Sequence, residues 1–250
     1  MDVVEIQTKS ALVKSGIPGV NSVINPYLGC GHGCRYCYAV FMRKYSRQHA
    51  SAAWGTFVEV KVNIVDVLRA ELAKKRKAGS VMLSSVCDPY QPVELRYKLT
   101  RGCLEALREF GWEIGILTRS PLVMRDVDIL KSSIGASVGF SIPTDDDKVR
   151  KILEPNSPPI GSRIATLKKL REAGVETWAF IGPILPMNPK ALYELVAPHV
   201  SSVIISALNY RSQVSDVFRG QGWAYALGNE YQKGTRAELN RLFGRTADRK

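Results

Sequence analysis

Residues 25–38 read NPYLGCGHGCRYCY and place three of the five cysteines, Cys30, Cys34 and Cys37, within eight residues. Close thiols in a reducing compartment more often serve metal or redox chemistry than a structural disulfide. The glycines at 29, 31 and 33 allow the backbone to fold tightly around a ligand, so that neighbouring N–H groups can donate to sulfur. The stretch therefore predicts a metal or cluster site on a glycine-rich loop.

Two kinds of metal centre fit this loop. A closed structural zinc site needs four ligands, and His32 is the nearby candidate for the fourth. A [4Fe–4S] cluster held by three thiolates instead leaves one iron without a protein ligand, where a substrate or cofactor can bind. The count of three cysteines favours the cluster, and zinc stays open as the alternative.

The rest of the chain alternates apolar runs of strand length with amphipathic helical stretches, which is typical of repeated βα units and a parallel sheet. The predicted strands lie at about 57–62, 81–86, 113–118, 136–142, 176–184 and 202–208. Most are rich in Val and Ile without strict alternation, as expected of strands that are covered on both faces. A chain of 250 residues is compatible with one α/β domain.

Polar or unusual residues follow these predicted strands. In parallel α/β folds, ligands bind beyond the carboxyl ends of the strands. The residues found there are Ser85, Cys87, Asp88, Thr118, Arg119, Ser120, Ser141, Pro183, Pro186 and Asn209. Each one alone could be a helix N-cap or a turn former, but together they predict a pocket.

The net charge of +12 is concentrated in two regions. Residues 35–77 hold ten Lys or Arg against three acids, and residues 211–250 hold eight against four. Such regions are either solvated basic surfaces or binding surfaces for a phosphate-rich partner such as nucleic acid. The run Lys74-Lys75-Arg76-Lys77 needs no ligand, because cations at the end of a predicted helix oppose its dipole.

No stretch approaches the roughly 18 apolar residues of a membrane span, and the N-terminus lacks the apolar region of a signal peptide. We therefore expect no membrane partner and a cytoplasmic location.

The spacing Cys-x3-Cys-x2-Cys, with an aromatic residue before the last cysteine, resembles the signature of the radical S-adenosylmethionine (radical SAM) superfamily. Further motifs between about residues 20 and 190 resemble its branch related to spore photoproduct lyase, often labelled DNA repair photolyase-like. These motifs are Asn25-Pro26-Tyr27, residues 88–94 (DPYQPVE), Leu99-Thr100-Arg101, residues 116–120 (ILTRS), Arg125-Asp126, Phe140-Ser141-Ile142 and Glu154-Pro155.

This resemblance implies an α/β fold, a partial (β/α)6 TIM-like barrel of the radical SAM type with a short C-terminal helical extension. In that superfamily the cysteine loop follows the first barrel strand. We expect a single domain over residues 1–250, with its core at about 20–210 and a helical cap at 211–250.

The resemblance also implies the cofactors, a [4Fe–4S] cluster on Cys30, Cys34 and Cys37 and S-adenosylmethionine bound to the open iron through its amino and carboxylate groups. Tyr36 would pack near the adenine and Tyr38 close to the cofactor. Ser141 matches a serine that contacts the cofactor in spore photoproduct lyase. Arg119 stands where that enzyme has a lysine, and it could reach the methionyl carboxylate by a charge-assisted bond.

The loop after the second predicted strand carries a further cysteine. The resemblance aligns Ser85 with the cysteine that gives a hydrogen atom to a product radical in spore photoproduct lyase, and Cys87 follows two residues later. We predict Ser85 as a cofactor contact. Residues two apart on a strand share a face, so Cys87 is either a catalytic hydrogen donor or radical relay, or a small residue that lines the cofactor pocket.

The implied function is reductive cleavage of S-adenosylmethionine to a 5′-deoxyadenosyl radical that abstracts a hydrogen atom from an unidentified substrate, with an electron donor of flavodoxin or ferredoxin type. The substrate could be a small molecule, a peptide, RNA, or a DNA lesion as in spore photoproduct lyase. An alternative of a different class is a non-catalytic, zinc-dependent protein that binds nucleic acid through residues 35–77 and 211–250.

Four charged residues in family-like positions are predicted only to tie loops together: Glu94, Arg150, Glu154 and Arg163.

Overall fold

The computed structural model of the protein describes residues 1–244. Its strands are β1 (Asp2–Ile6), β2 (Val13–Lys14), β3 (Ser22–Ile24), β4 (Tyr27–Leu28), β5 (Phe57–Lys61), β6 (Ser80–Leu83), β7 (Glu113–Thr118), β8 (Ser137–Ser141), β9 (Glu176–Ile181) and β10 (Ser202–Ile205). Its α-helices are α1 (Ile64–Leu72), α2 (Glu94–Tyr97), α3 (Leu99–Glu109), α4 (Val127–Ser132), α5 (Asp147–Leu153), α6 (Ile160–Glu172), α7 (Pro189–Val196), α8 (Ser215–Gly220) and α9 (Asn229–Phe243).

The main sheet is the parallel barrel sheet that was predicted. Its strand order is β10-β9-β8-β7-β6-β3-β2, and every neighbouring pair from β3 to β10 is parallel. Only β2 joins it antiparallel, at β3. Helices separate consecutive parallel strands, as a parallel connection requires. The fold is therefore a partial (β/α)6 TIM-like barrel.

One predicted barrel strand was wrong. The run at 57–62 forms β5, which lies outside the barrel in a small sheet of order β1-β5-β4. The first barrel strand is β3, which the sequence did not reveal because three residues, Ser22 to Ile24, are too short for a periodic pattern. The cysteine loop follows β3 in the chain, as expected for this type of barrel.

The core lies between the parallel strands and the helices that cover them. Helix α3 shows how the sequence sets this packing, because Cys103, Leu104 and Leu107 face the sheet and are fully buried. Spacings of three and four residues place side chains on one helix face. Cys103 is thus a core residue, remote from the cysteine loop in sequence and packed among apolar side chains.

The C-terminal helices close over the loops that follow β9 and β10. Gln232 of α9 donates to the Ile184 carbonyl at 3.1 Å and accepts from the Leu208 amide at 2.8 Å, and its side chain is buried. Tyr231 donates to the Leu185 carbonyl at 3.0 Å. The last six residues of the predicted cap, 245–250, lie outside the described residues. No helix within the described part is long and apolar enough to cross a membrane.

Candidate active site

A cavity of about 470 Å³ opens at the carboxyl ends of the barrel strands. The nine residues predicted as cluster ligands, cofactor contacts or catalytic group line it: Cys30, Cys34, Tyr36, Cys37, Tyr38, Ser85, Cys87, Arg119 and Ser141. Of the other strand-end residues expected at the pocket, Asp88, Pro183 and Asn209 line the cavity, whereas Thr118, Ser120 and Pro186 do not. These residues come from the cysteine loop and from the ends of three different strands. The fold therefore brings into one place side chains that are up to 111 positions apart, from Cys30 to Ser141.

The cysteine loop is shaped by two tight turns and a close backbone approach. The amide of Gly33 donates to the Cys30 carbonyl at 3.3 Å, and the amide of Cys37 donates to the Cys34 carbonyl at 3.1 Å. Gly33 has a left-handed φ of 60°, and a Cβ on Gly55 would lie 2.6 Å from the Gly33 Cα. The glycines are thus needed for the loop to pack.

The three thiols do not surround one point, as a single metal ion would require. All five cysteines are free thiols. Within residues 1–244, no group of three or more His, Cys, Asp or Glu side chains is close enough together to hold one metal ion. A four-iron cluster does not need such convergence, because each thiolate binds a different iron. His32 is turned elsewhere, with Nε2 3.2 Å from Asp88 Oδ2 and Nδ1 3.3 Å from the Asn156 carbonyl.

The surroundings of the three thiols disfavour their deprotonated form. Burial raises the pKa of Cys30 well above the usual thiol value and that of Cys34 to about 12, although the Arg119 guanidinium works against burial at Cys34. Burial also raises the pKa of Cys37, despite a hydrogen bond from the Trp54 side chain to its sulfur. Thiolates at these positions therefore need the positive charge of a bound metal centre.

The loop after β6 forms one wall of the cavity. Ser84 adopts a left-handed φ of 61°, which is strained for a residue with a side chain, and its Oγ lies 3.3 Å from Cys87 Sγ. Asn25 Oδ1 accepts hydrogen bonds from the amides of Ser85 and Val86, at 3.0 and 3.1 Å. The Tyr38 hydroxyl donates to the Ser85 carbonyl. These contacts hold the loop, and Cys87 with it, at the cavity wall.

Asp88 joins the β6 loop to the end of β7. Its buried carboxylate accepts hydrogen bonds from Thr118 Oγ1 at 2.7 Å, from the Arg119 amide at 2.8 Å and from the Tyr90 amide at 2.9 Å. Burial acts to raise the pKa of Asp88, but His32, Thr118 and Arg119 outweigh it and bring the pKa to about 2. Asp88 is therefore an ionised clamp between the cysteine loop and two strand ends.

A second buried carboxylate, Glu154, organises three of the predicted cofactor contacts. It accepts from the Tyr36 hydroxyl and from Arg119 Nε, the latter at 2.9 Å. Arg163 pairs with its other oxygen and donates from Nη1 to the Ser141 carbonyl at 2.7 Å. The prediction that Glu154 and Arg163 tie loops together holds for their contacts, but it missed that the residues they hold line the cavity.

The remaining wall of the cavity is apolar. Its side chains are Ile17, Met82, Leu117, Trp178, Phe180 and Leu208. Trp178 lies on β9 beside Gly139 of β8, whose missing side chain leaves room for the indole ring. No sequence pattern revealed this contact, because it depends on the register between two strands.

Comparisons with known proteins identify the family of this chain. The family model described as the Radical SAM superfamily matches residues 24–197. An uncharacterised protein of Methanocaldococcus jannaschii is 39% identical over 186 residues, which cover 74% of this chain and 69% of that protein. A radical SAM Nα-GlyT isomerase of Pseudomonas phage M6 is 26% identical over 224 residues, which cover 87% of this chain but only 44% of the phage protein.

Solved structures show the same fold. The structure of a mutant spore photoproduct lyase superposes with a TM-score of 0.65 at 16% identity, over 98% of this chain and 79% of that chain. A spore photoproduct lyase complexed with dinucleoside spore photoproduct superposes with a TM-score of 0.60 at 16% identity, over 98% of this chain and 67% of that chain.

Proposed function

This chain belongs to the radical SAM superfamily, and from that premise we propose that it uses a [4Fe–4S] cluster to cleave S-adenosylmethionine reductively, giving a 5′-deoxyadenosyl radical that abstracts a hydrogen atom from its substrate. The observation that carries the proposal is the cavity, because the three thiols of the cysteine loop and six further predicted site residues line the same space. Family membership also makes the chain an enzyme, so the non-catalytic zinc protein was the wrong alternative.

Cys30, Cys34 and Cys37 are the proposed cluster ligands. Their burial, which raises the pKa of each thiol, supports a bound positive centre that would stabilise the thiolate form. A cluster held by these three ligands would keep one iron open for the amino and carboxylate groups of S-adenosylmethionine. When bound, the reduced cluster supplies the one electron that breaks the carbon–sulfur bond of the sulfonium.

The chain's own side chains bind and orient the cofactor in this proposal. Arg119 lines the cavity and carries the positive charge suited to the methionyl carboxylate. Ser141 and Ser85 offer short polar contacts from two strand ends, and Tyr36 and Tyr38 offer aromatic surface for the adenosyl group. The Glu154 carboxylate fixes Tyr36 and Arg119, so these two groups enter the reaction already oriented.

The apolar wall has a separate role. Trp178 and Phe180 line the cavity beside the polar strand ends. A wall of this kind excludes water from a reactive carbon radical and leaves substrate hydrogen atoms as its partners. Cys87 also lines the cavity, on the polar wall, and it is the proposed exchangeable hydrogen donor.

A second candidate for the substrate is a nucleobase in DNA, as in a lesion-repair lyase. Two aromatic side chains that line the cavity also reach the outside, since Tyr38 is 47% exposed and Tyr210 is 49% exposed. Exposed aromatics are suited to stacking on bases. One structural neighbour, a spore photoproduct lyase, is complexed with dinucleoside spore photoproduct, so a protein of this fold accommodates a dinucleoside ligand. Binding of DNA oligonucleotides with a steep salt dependence would support this candidate.

We further propose that the chain forms one domain, with a core at 20–210 and a helical cap that begins at residue 211. We also propose that the protein works in the cytoplasm with an electron donor of flavodoxin or ferredoxin type.

Anaerobic reconstitution with iron and sulfide tests the central proposal. The protein should turn brown, bind about four irons and, after reduction, release 5′-deoxyadenosine and methionine from S-adenosylmethionine. Cys34→Ala should lose both the iron and the cleavage. Cys103→Ala is the matched control, because Cys103 is a buried core thiol that does not line the cavity, and it should keep both. A colourless protein with one zinc per chain would contradict the proposal.

A further inference from the structure

The stretch of chain at 6–58, which contains the cysteine loop, has no acidic side chain. Between Glu5 and Glu59 there is no Asp or Glu, whereas six Lys or Arg occur in the same stretch. A stretch of this length with one sign of charge attracts partners of the opposite sign and raises their rate of encounter. The positive charge here is therefore a feature of the region that carries the proposed cluster ligands.

Part of this stretch presents cations and aromatic rings together at the surface. The side chains of Phe41 and Tyr45 are 47% and 61% exposed, and Arg35, Lys44 and Arg47 are also exposed. We call these five residues the basic aromatic face. Asp2 and Glu59 reach the end of this segment in the fold, but both pair with His49, at 2.9 Å each, and leave the net charge of the segment itself positive.

The face begins next to the cysteine loop. Cys37 is the N-cap of the 3-10 helix Tyr38–Tyr45, which carries Phe41, Lys44 and Tyr45. Cys30 and Cys34 are 7% exposed, whereas Cys37 is more exposed than either. The helix therefore links a proposed cluster ligand, Cys37, directly to the exposed side chains of Tyr38 and Phe41.

The composition of the face favours a protein over a nucleic acid. Lys44 Nζ lies 5.7 Å from the ring centroid of Phe41 and 4.9 Å from that of Tyr45, so a cation already covers one face of each ring. Bases stack on open ring faces. Tyr, Phe, Met and Arg are the residues enriched at protein interfaces, and the helix reads YAVFMRKY.

We propose that the basic aromatic face is the docking surface for an acidic one-electron donor protein that carries a flavin or an iron–sulfur centre. This inference rests on the proposed function, because reductive cleavage needs an electron from outside the chain. In the transfer the donor loses one electron and the cluster gains it, and no proton moves and no bond forms or breaks at the face.

Charge reversal on the face tests the docking surface. The test variant is Lys44→Glu/Arg47→Glu, and the control is Lys74→Glu/Lys75→Glu, which reverses two exposed lysines in the other basic run. The probe is a bacterial flavodoxin. Its oxidised form is titrated to measure the dissociation constant, and its reduced form is used to drive release of 5′-deoxyadenosine. Dithionite, a small reductant that needs no docking surface, drives a parallel reaction.

The test variant should bind flavodoxin about tenfold or more weakly and lose flavodoxin-driven cleavage, while dithionite-driven cleavage stays unchanged. The wild-type affinity should also fall with rising salt more steeply than that of the test variant. Equal affinities for flavodoxin in the test and control variants would overturn the inference. So would a test variant that loses binding to a DNA oligonucleotide while it keeps binding to flavodoxin. If the wild type fails to cleave with dithionite, the proposed function fails, and the flavodoxin titration still decides the docking surface.

Discussion

Arg119 Nε donates to Glu154 Oε1 at 2.9 Å, and this bond joins the end of β7 to the residue that follows α5. The Glu154 side chain is fully buried, and Arg163, which is also fully buried, pairs with its second oxygen. Two guanidinium groups thus share one carboxylate beneath the cavity. Removal of the carboxylate charge leaves both of them without their main partner.

Glu154→Gln should therefore destabilise the protein by about 3 kcal/mol, because removing one partner of a buried ion pair leaves an uncompensated buried charge. Urea denaturation at neutral pH measures the free energy of unfolding. The control is Glu109→Gln, which breaks the exposed pair of Glu109 with Arg69 and should change stability by less than about 1 kcal/mol. Equal losses in the two variants would contradict a special role for the buried pair.

The same variant should show a defined pH dependence. Burial acts to raise the pKa of Glu154, but Arg163 and Arg119 outweigh it, so the folded-state pKa lies below the usual value. A lowered folded-state pKa gives stability that is complete above the unfolded-state pKa of about 4.3 and is lost as the pH falls through the folded-state value. The difference between the wild type and Glu154→Gln should thus be full at pH 7 and shrink below about pH 4.

The sequence predicted the barrel because long apolar strands leave a clear pattern. The prediction of 113–118 matches β7 residue for residue. The short strand β3 left no such pattern, and β5 was assigned to the wrong sheet because its apolar run does not show which strand it pairs with. The length of a strand and the strand with which it pairs depend on contacts between distant residues, so the local sequence pattern predicts them poorly.

The candidate site, like the fold, was predicted only in part from the sequence. The cysteine motif and the polar strand ends predicted nine residues that line the cavity, but no pattern predicted its apolar wall. The supporting contacts join distant positions, such as Tyr36 with Glu154 and His32 with Asp88. Only the folded chain shows which buried carboxylate meets which loop, and the motif that contains Glu154 and Pro155 was the one sequence signal that pointed toward such a role.

Ser141→Ala should weaken the binding of S-adenosylmethionine by about tenfold at most, because one neutral hydrogen bond contributes roughly 0.5–1.5 kcal/mol. The Ser141 carbonyl already accepts from Arg163, so the backbone at this position should stay in place. Isothermal titration of the reconstituted protein measures the dissociation constant. Ser133→Ala removes a serine that bonds the Ile129 carbonyl at the end of α4 and should leave the affinity unchanged. An unchanged affinity in both variants would remove Ser141 from the proposed contacts.

Cys87 should supply an exchangeable hydrogen atom to a carbon radical in the cavity. Burial raises the pKa of its thiol to about 11, so the sulfur keeps its proton at neutral pH. In deuterated water, cleavage without substrate should place deuterium in 5′-deoxyadenosine, and Cys87→Ala should lower that deuterium content. Mass spectrometry of the product measures it, with Cys103→Ala as the matched thiol control. If Cys87 only lines the pocket, the deuterium content will be the same in both variants.

Gly139→Ala should destabilise the barrel, because the added Cβ would overlap the Trp178 indole ring. The two residues are register partners on β8 and β9, so neither backbone can move away without loss of ladder hydrogen bonds. Overpacking of this kind costs about 1–3 kcal/mol, and we expect a loss of that size in urea denaturation.

Gly161→Ala is the matched control, since a Cβ at Gly161 in α6 meets no atom within 4 Å. It should stabilise the protein slightly, by about 0.4–1 kcal/mol, because alanine has less backbone freedom to lose on folding. Trp178 also lines the cavity, so a displaced indole should weaken S-adenosylmethionine binding in Gly139→Ala but not in Gly161→Ala. If both alanine variants were equally stable, the close contact between Gly139 and Trp178 would not be a constraint on this fold.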